Sequence, residues 1–165
     1  MVYLKHVLVP TDFSEASAVA LDYGRTLART FGATLHVLHV SDDLAAMMLP
    51  TGGVSLDLGR FQTEMETAAR RSLDQLLDDD DRQALGARPV LVTSHAPAAA
   101  IATYARENGV DLIVMATHGR TGMAHALMGS VAEKVVRSAP CPVLTVRHPE
   151  HEFLRPDALQ AVQRA

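Results

Sequence analysis

Apolar residues follow two alternating rhythms along this chain. Five short runs are almost continuously apolar: His6-Val-Leu-Val-Pro10, Thr34-Leu-His-Val-Leu-His-Val40, Pro89-Val-Leu-Val-Thr93, Asp111-Leu-Ile-Val-Met-Ala116 and Pro142-Val-Leu-Thr-Val146. Several scarcely alternate with polar residues, which marks strands covered on both faces, as in a parallel sheet. Between them, apolar residues recur at intervals of three and four. Ala16, Ala20, Tyr23, Leu27 and Phe31 make one such face, with Gly32 as a stop. Phe61, Met65, Ala69, Leu73 and Leu76 make a second. Pro97 opens a third helix with Ile101, Tyr104 and Ala105 inside, and Asn108-Gly109 ends it. Val131, Val135 and Val136 carry a fourth. The order βαβαβαβαβ predicts a doubly wound α/β domain, with right-handed crossovers placing helices on both faces of the sheet.

Two segments stand outside this rhythm. Residues 41–59 hold Met47, Met48, Pro50, Gly52 and Gly53 and read as a long connection with a short helix. Their length and glycines allow closure over a neighbouring site. Residues 148–165 follow the last run, and Ala158, Leu159 and Val162 suggest a short helix there. The chain is therefore read as one domain over 1–147 and a tail over 148–165.

Composition narrows the partners. Charged residues are 21% and hydrophobic residues 48%, ordinary values for a globular protein. The net charge of -4 gives a nucleic acid no general attraction. The acidic run Asp78–Asp81 is expected to be a solvated helix end and loop. Cys141 is the single cysteine, so no intrachain disulfide forms. No apolar run approaches the ~20 residues that span a bilayer, and Met1 to His6 does not read as a signal peptide. The expected location is the cytoplasm, away from membranes.

Candidate chemistry sits at the strand ends. The fourth run ends in Thr117-His118-Gly119, and Gly129-Ser130 then opens a helix. Glycine lets a backbone approach an anion closely, and a helix N-terminus presents free N–H groups to it. A nucleotide pocket is one reading. The other is structural: Ser130-Val-Ala-Glu133 fits a capping box, and the glycines merely turn the chain. In an open α/β sheet, ligands bind beyond the carboxyl ends of the strands where the winding reverses. The first run ends in Pro10-Thr11-Asp12, so adjacent first and fourth strands would set Asp12 across a crevice from the glycine turn. A carboxylate there accepts hydrogen bonds from ribose hydroxyls or an amino group. Asp12-Phe-Ser-Glu15 also fits a capping box; the reading adopted gives Asp12 to the ligand and the cap to Ser14. The chain has no G-x-G-x-x-G in the first turn, no G-x-x-x-x-G-K-[ST] and no G-x-S-x-G. His36 and His39 lie three apart on one strand and point to opposite faces, so they form no metal pair.

Taken together, these residues resemble the universal stress protein family over about residues 3 to 147. The resemblance rests on His6-Val-Leu-Val-Pro-Thr-Asp-Phe-Ser14, on Ala116-Thr-His-Gly119 followed after nine residues by Gly129-Ser130, and on Ser138-Ala-Pro-Cys-Pro-Val-Leu-Thr-Val146. It implies a five-stranded parallel sheet in the order 3-2-1-4-5, of the adenine-nucleotide α-hydrolase-like (Rossmann-like) kind. The glycine motif marks the family's ATP-binding subclass. Carried over, Asp12 contacts the ribose or base with Pro10 and Thr11 beside it, and the backbone of Val40 holds the adenine edge. Met115, Ala116, His118, Gly119, Arg120 and Gly122 belong to the turn near the phosphates. Gly129, Ser130 and Val131 hold the phosphates themselves. Mg²⁺ or Mn²⁺ accompanies the triphosphate. The last strand, Pro142 to Val146, is the implied homodimer edge.

The function so implied is an ATP-dependent stress-response or signalling protein. No catalytic pair suits efficient turnover; His118 is the one group beside the phosphate turn able to polarise a water, which allows at most slow hydrolysis. The family's other subclass, an interaction module without nucleotide, is the alternative. A third reading, an enzyme that activates its substrate by adenylation, would need an added domain or a second pocket. Two positions depart from the pattern. Ala116 stands where the motif begins with glycine, and His95 stands where glycine often precedes x-Pro before the third helix.

Overall fold

The computed structural model describes residues 3–48, 57–117 and 128–147. Five strands, β1 His6–Pro10, β2 Thr34–Ser41, β3 Arg88–Thr93, β4 Leu112–Ala116 and β5 Val143–Val146, form one sheet in the order β3-β2-β1-β4-β5. All four pairings are parallel. The doubly wound arrangement expected from the hydrophobic pattern is therefore the observed one. The helices are α1 Glu15–Phe31, α2 Leu44–Met48, α3 Leu58–Leu76, α4 Asp79–Ala84, α5 Pro97–Glu107 and α6 Ser130–Ser138. The short helix expected in the 41–59 connection is α2. The rest of that connection, residues 49–56, and the tail over 148–165 lie outside the described residues.

Alternation along each strand divides the core in two. Val7, Val9, Leu35 and Val37 face α1 and α3, with Ala20, Leu21, Ala28 and Leu73 packed on them. Leu8, Leu38, Ile113 and Met115 face α5 and α6, meeting Ile101, Ala105, Ala132 and Val135. Strand β1 lies at the centre of the sheet, and its three middle residues are fully buried.

Helix α1 lies on the sheet by the expected face at Ala20, Tyr23 and Leu27, but its closest contacts are made by small residues beside them. Its buried positions are Ser17, Ala20, Leu21, Gly24 and Ala28, while Phe31 is exposed. Small residues let the helix axis come close to β1. A Cβ on Gly24 would stand only 2.3 Å from Val9 Cγ2. Likewise, Val136 of α6 is exposed, and Ala132 and Val135 fill the contact instead.

The acidic run is not wholly solvated. Asp78 caps α4 and forms a capping box with Asp81. Asp81 is buried, taking Arg25 Nε on both oxygens at 3.0 Å and Arg25 Nη2 at 2.8 Å. Burial opposes the Arg25 charge, but the bonds to Asp81 outweigh it and push the guanidinium pKa up. An arginine reaching over from α1 thus turns the fourth acid of the run inward.

On the other face His36 is 1% exposed. Its Nδ1 lies 2.8 Å from Tyr104 Oη and its Nε2 lies 3.1 Å from His6 Nδ1. Burial, with His6 and Arg88 adding positive charge nearby, lowers the His36 pKa to about 4. No helix among the described residues is long and apolar enough to cross a membrane.

Candidate functional site

A cleft of about 720 Å³ opens at the carboxyl ends of β1, β2 and β4. That size suits a small-molecule site, commonly about 300–1,000 Å³. It forms where the winding reverses, because β2 and β4 leave β1 on opposite sides.

Nine of the expected site residues line it: Pro10, Thr11 and Asp12 from the end of β1, Val40 from β2, Met115 and Ala116 from β4, and Gly129, Ser130 and Val131 at the start of α6. The other four, His118, Gly119, Arg120 and Gly122, lie outside the described residues.

The end of β1 is held by short local bonds. Ser14 is the N-cap of α1 and accepts from Ser17 N–H. Asp12 Oδ1 in turn accepts from the Ser14 N–H at 3.1 Å and the Ser14 hydroxyl at 2.6 Å. Ser14 is thus the cap, as expected, and Asp12 lines the cleft. Between them Phe13 takes φ 65°, the single positive φ outside glycine among the described residues. Such a conformation costs a non-glycine residue about 1–2 kcal/mol. Two contacts hold it there. The Phe13 N–H donates to Thr11 Oγ1 at 3.1 Å, and its ring lies 4.4 Å from that of His39. His39 Nδ1 donates to the Thr11 carbonyl at 2.8 Å.

Strand β2 outruns β1, and this exposes backbone. The last paired residues are Pro10 and Leu38, and the Leu38 carbonyl accepts from Thr11 N–H. Strand groups repeat every two residues, so Val40 directs both its N–H and its C=O the same way as Leu38. There β1 has already ended and the cleft begins. Ser41 has the opposite parity and accepts from Ser94 N–H on the β3 side.

Across the cleft stands the start of α6. The Gly129 N–H donates to Thr117 O at 2.6 Å, which ties the helix start to the end of β4. Gly129 is the N-cap, and no side chain caps the helix. This corrects the capping-box alternative, because the helix begins one residue too early for Ser130 to cap it. The first intrahelical bond joins Glu133 N–H to Gly129 O. The N–H groups of Ser130, Val131 and Ala132 precede it, and all three residues line the cleft. The helix dipole adds a partial positive charge at that point.

Ala116, the departure from the glycine motif, is the last residue of β4 and has no positive φ. Alanine therefore brings no backbone strain at this position. His95, the other departure, stands outside the cleft lining; Pro97 and Ile101 of α5 form that wall.

Several lining residues escaped the sequence reading. Phe13, His39, Met65 and Ser72 join the expected ones. Met65, on the apolar face that spacing predicts for α3, is 37% exposed and lines the cleft instead of packing in the core. Spacing alone marks Met65 and Ser72 as neighbours on one helix side, but not where the sheet stops. Among the described residues no group of three or more His, Cys, Asp or Glu could hold a metal ion.

Comparison with known proteins agrees with this architecture. Residues 4–147 match the universal stress protein family. The chain is 31% identical to universal stress protein MJ0531 of Methanocaldococcus jannaschii over 149 residues, covering 90% of this chain and 85% of that one. The fold is similar to that of universal stress protein UspA from Lactobacillus plantarum, with a TM-score of 0.74 and 24% identity over 89% of this chain and all of that one. A further neighbour, at TM-score 0.56 and 23% identity, covering 88% of this chain and 98% of that one, is a universal stress protein in complex with cAMP.

Proposed function

The chain belongs to the universal stress protein family, and from that premise we propose that it binds ATP in the cleft and acts as a nucleotide-dependent stress-response or signalling protein of the cytoplasm. The observation that carries the reading is the uncapped start of α6 opening into the cleft that Asp12 and Val40 border. Three N–H groups without a partner among the described residues, with the positive end of a helix dipole, make a phosphate seat that costs no side-chain desolvation. The paired N–H and C=O of Val40 match adenine, whose outer edge offers one acceptor and one donor in the complementary order. Guanine presents the reverse pattern. Asp12 stands between the two ends, where a ribose would lie. The neighbour in complex with cAMP supports an adenosine head as the common element.

In this reading His118, Gly119, Arg120 and Gly122 complete the phosphate turn. A divalent ion, Mg²⁺ or Mn²⁺, arrives with the triphosphate and offsets its charge; the phosphate oxygens supply its main ligands. No side chain in the described lining forms a nucleophile–base pair, so ATP serves as a signal and hydrolysis is slow at most. The edge strand β5 is the pairing surface of a homodimer: its outer side has no strand partner among the described residues, and Leu144 is 39% exposed.

A thermal shift with Mg²⁺-ATP against Mg²⁺-GTP tests the reading on protein freed of co-purified nucleotide. ATP at 100 times its Kd raises stability by roughly 2.7 kcal/mol. Equal shifts with both nucleotides would remove the role given to Val40. No shift with any adenine nucleotide would leave the interaction-module alternative.

A further inference from the structure

A second cavity, about 730 Å³, runs along the seam between α5 and α6. Both helices follow strands of the same parallel sheet, so they lie side by side and point the same way. The floor is made of methyl groups from Ala98, Ala99, Ala102 and Val131. The walls are basic. Arg106 stands on the last turn of α5, and Lys134 and Arg137 stand on α6. His95 lies at the end of the seam nearest the cleft, and among the described residues no carboxylate lines the groove. In a chain with 15 lysines and arginines against 19 acids, three cations around one groove are a local excess. Arg137 pairs with Glu133 at 3.0 Å on the exposed helix surface. Among the described residues Arg106 and Lys134 form no ion pair within 4.0 Å.

We propose that this groove docks an acidic peptide segment of a partner protein. The charge pattern chooses the sign of the ligand, and the floor chooses its class. Alanine methyls leave room for an extended backbone, and the walls offer cations to its side chains. Lys134 and Arg137 are about one helical turn apart, roughly 5 Å along the axis. Alternate side chains of an extended peptide are spaced about 6.6–6.8 Å apart, close enough for long, mobile lysine and arginine side chains to follow. A single-stranded nucleic acid fits less well, because among the described residues no Phe, Tyr or Trp lines the groove to stack successive bases, and the one ring there, His95, stands at its end. Pro97, Ser130 and Val131 line both this groove and the cleft, so a docked segment lies directly behind the helix start that faces the cleft. Docking itself is independent of the nucleotide reading, and its test uses no nucleotide.

The test is fluorescence anisotropy with a labelled peptide of alternating glutamate and alanine, titrated with the full chain at low salt. Saturable binding is expected. It should weaken about ten-fold or more when glutamine replaces glutamate in the peptide, and similarly in Arg106→Gln/Lys134→Gln/Arg137→Gln, whose melting temperature should match the parent. Lys134→Arg, with its charge kept, should retain binding. If the triple variant fails to fold, Lys134→Glu alone carries the comparison and should weaken binding. Absence of saturable binding overturns the proposal. So does binding that ignores both the peptide charge and the protein substitutions, or tighter binding of a labelled single-stranded oligonucleotide of the same length.

Discussion

Acidification should destabilise this fold through His36 in particular. The ring is 1% exposed, between His6 and Tyr104, and its pKa is lowered from 6.5 to about 4 by burial and by the positive charge of His6 and Arg88. Above pH 6.5 the ring is neutral in both the folded and the unfolded chain, and the stability contribution is complete. Between 6.5 and 4 the unfolded chain binds a proton that the folded chain refuses, so stability falls as the pH falls. Below 4 both states carry the proton and the loss levels off. A difference of about 2.5 pKa units at 1.36 kcal/mol each amounts to about 3 kcal/mol, a large share of the 5–15 kcal/mol typical of a domain. Urea unfolding at intervals from pH 7 to pH 4 measures the loss. Carboxylates titrate in the same window, so the comparison is with His36→Gln, which keeps polar atoms for Tyr104 and His6 but does not titrate. The parent should lose about 3 kcal/mol more than the variant over that range. Equal losses in the two proteins would refute the reasoning.

Other substitutions probe the remaining packing and the site. Gly24→Ala should destabilise by about 1–3 kcal/mol despite alanine's better helix propensity, because its Cβ meets Val9, and Val9→Ala in the same chain should restore part of the loss in denaturant melts. Asp81→Asn should cost about 2–3 kcal/mol in chemical unfolding, since it removes the counter-charge of a partly buried arginine. Gly129→Val should weaken ATP binding at least ten-fold by calorimetry while the fold persists; unchanged affinity in a folded variant would move the phosphates elsewhere. Asp12→Ala should weaken ATP and lose about 1 kcal/mol of stability, because Ser14 loses the acceptor that orients it. A loss of stability alone would confine Asp12 to that structural part.

Much of the fold was legible in the hydrophobic rhythm, because strands buried on both faces leave few choices of residue. Strand order came instead from the resemblance, since no pattern in one strand says which neighbour it takes. The misread positions share a physical cause. Periodicity weighs large apolar side chains, but α1 also meets the sheet through Gly24 and Ala28, where small size makes the close contact. The acidic run reads as solvated unless Arg25, more than fifty residues away, is known to meet Asp81. At the cleft, glycines and strand ends led to the lining residues of β1, β4 and α6. The strained φ of Phe13 and the exposure of Met65 depend on where neighbouring elements stop, which no local spacing records. Val40 shows the limit most clearly: the family resemblance implies its role, but only the unequal lengths of β1 and β2 explain why its backbone faces the cleft.

The most direct test follows the backbone amides of a ¹⁵N-labelled sample by two-dimensional NMR during a titration with Mg²⁺-ATP. Saturable shifts are expected, largest at Val40 on one side of the cleft and at Ser130, Val131 and Ala132 on the other. Saturable shifts concentrated away from those residues, or none at all, would contradict ATP binding in the cleft.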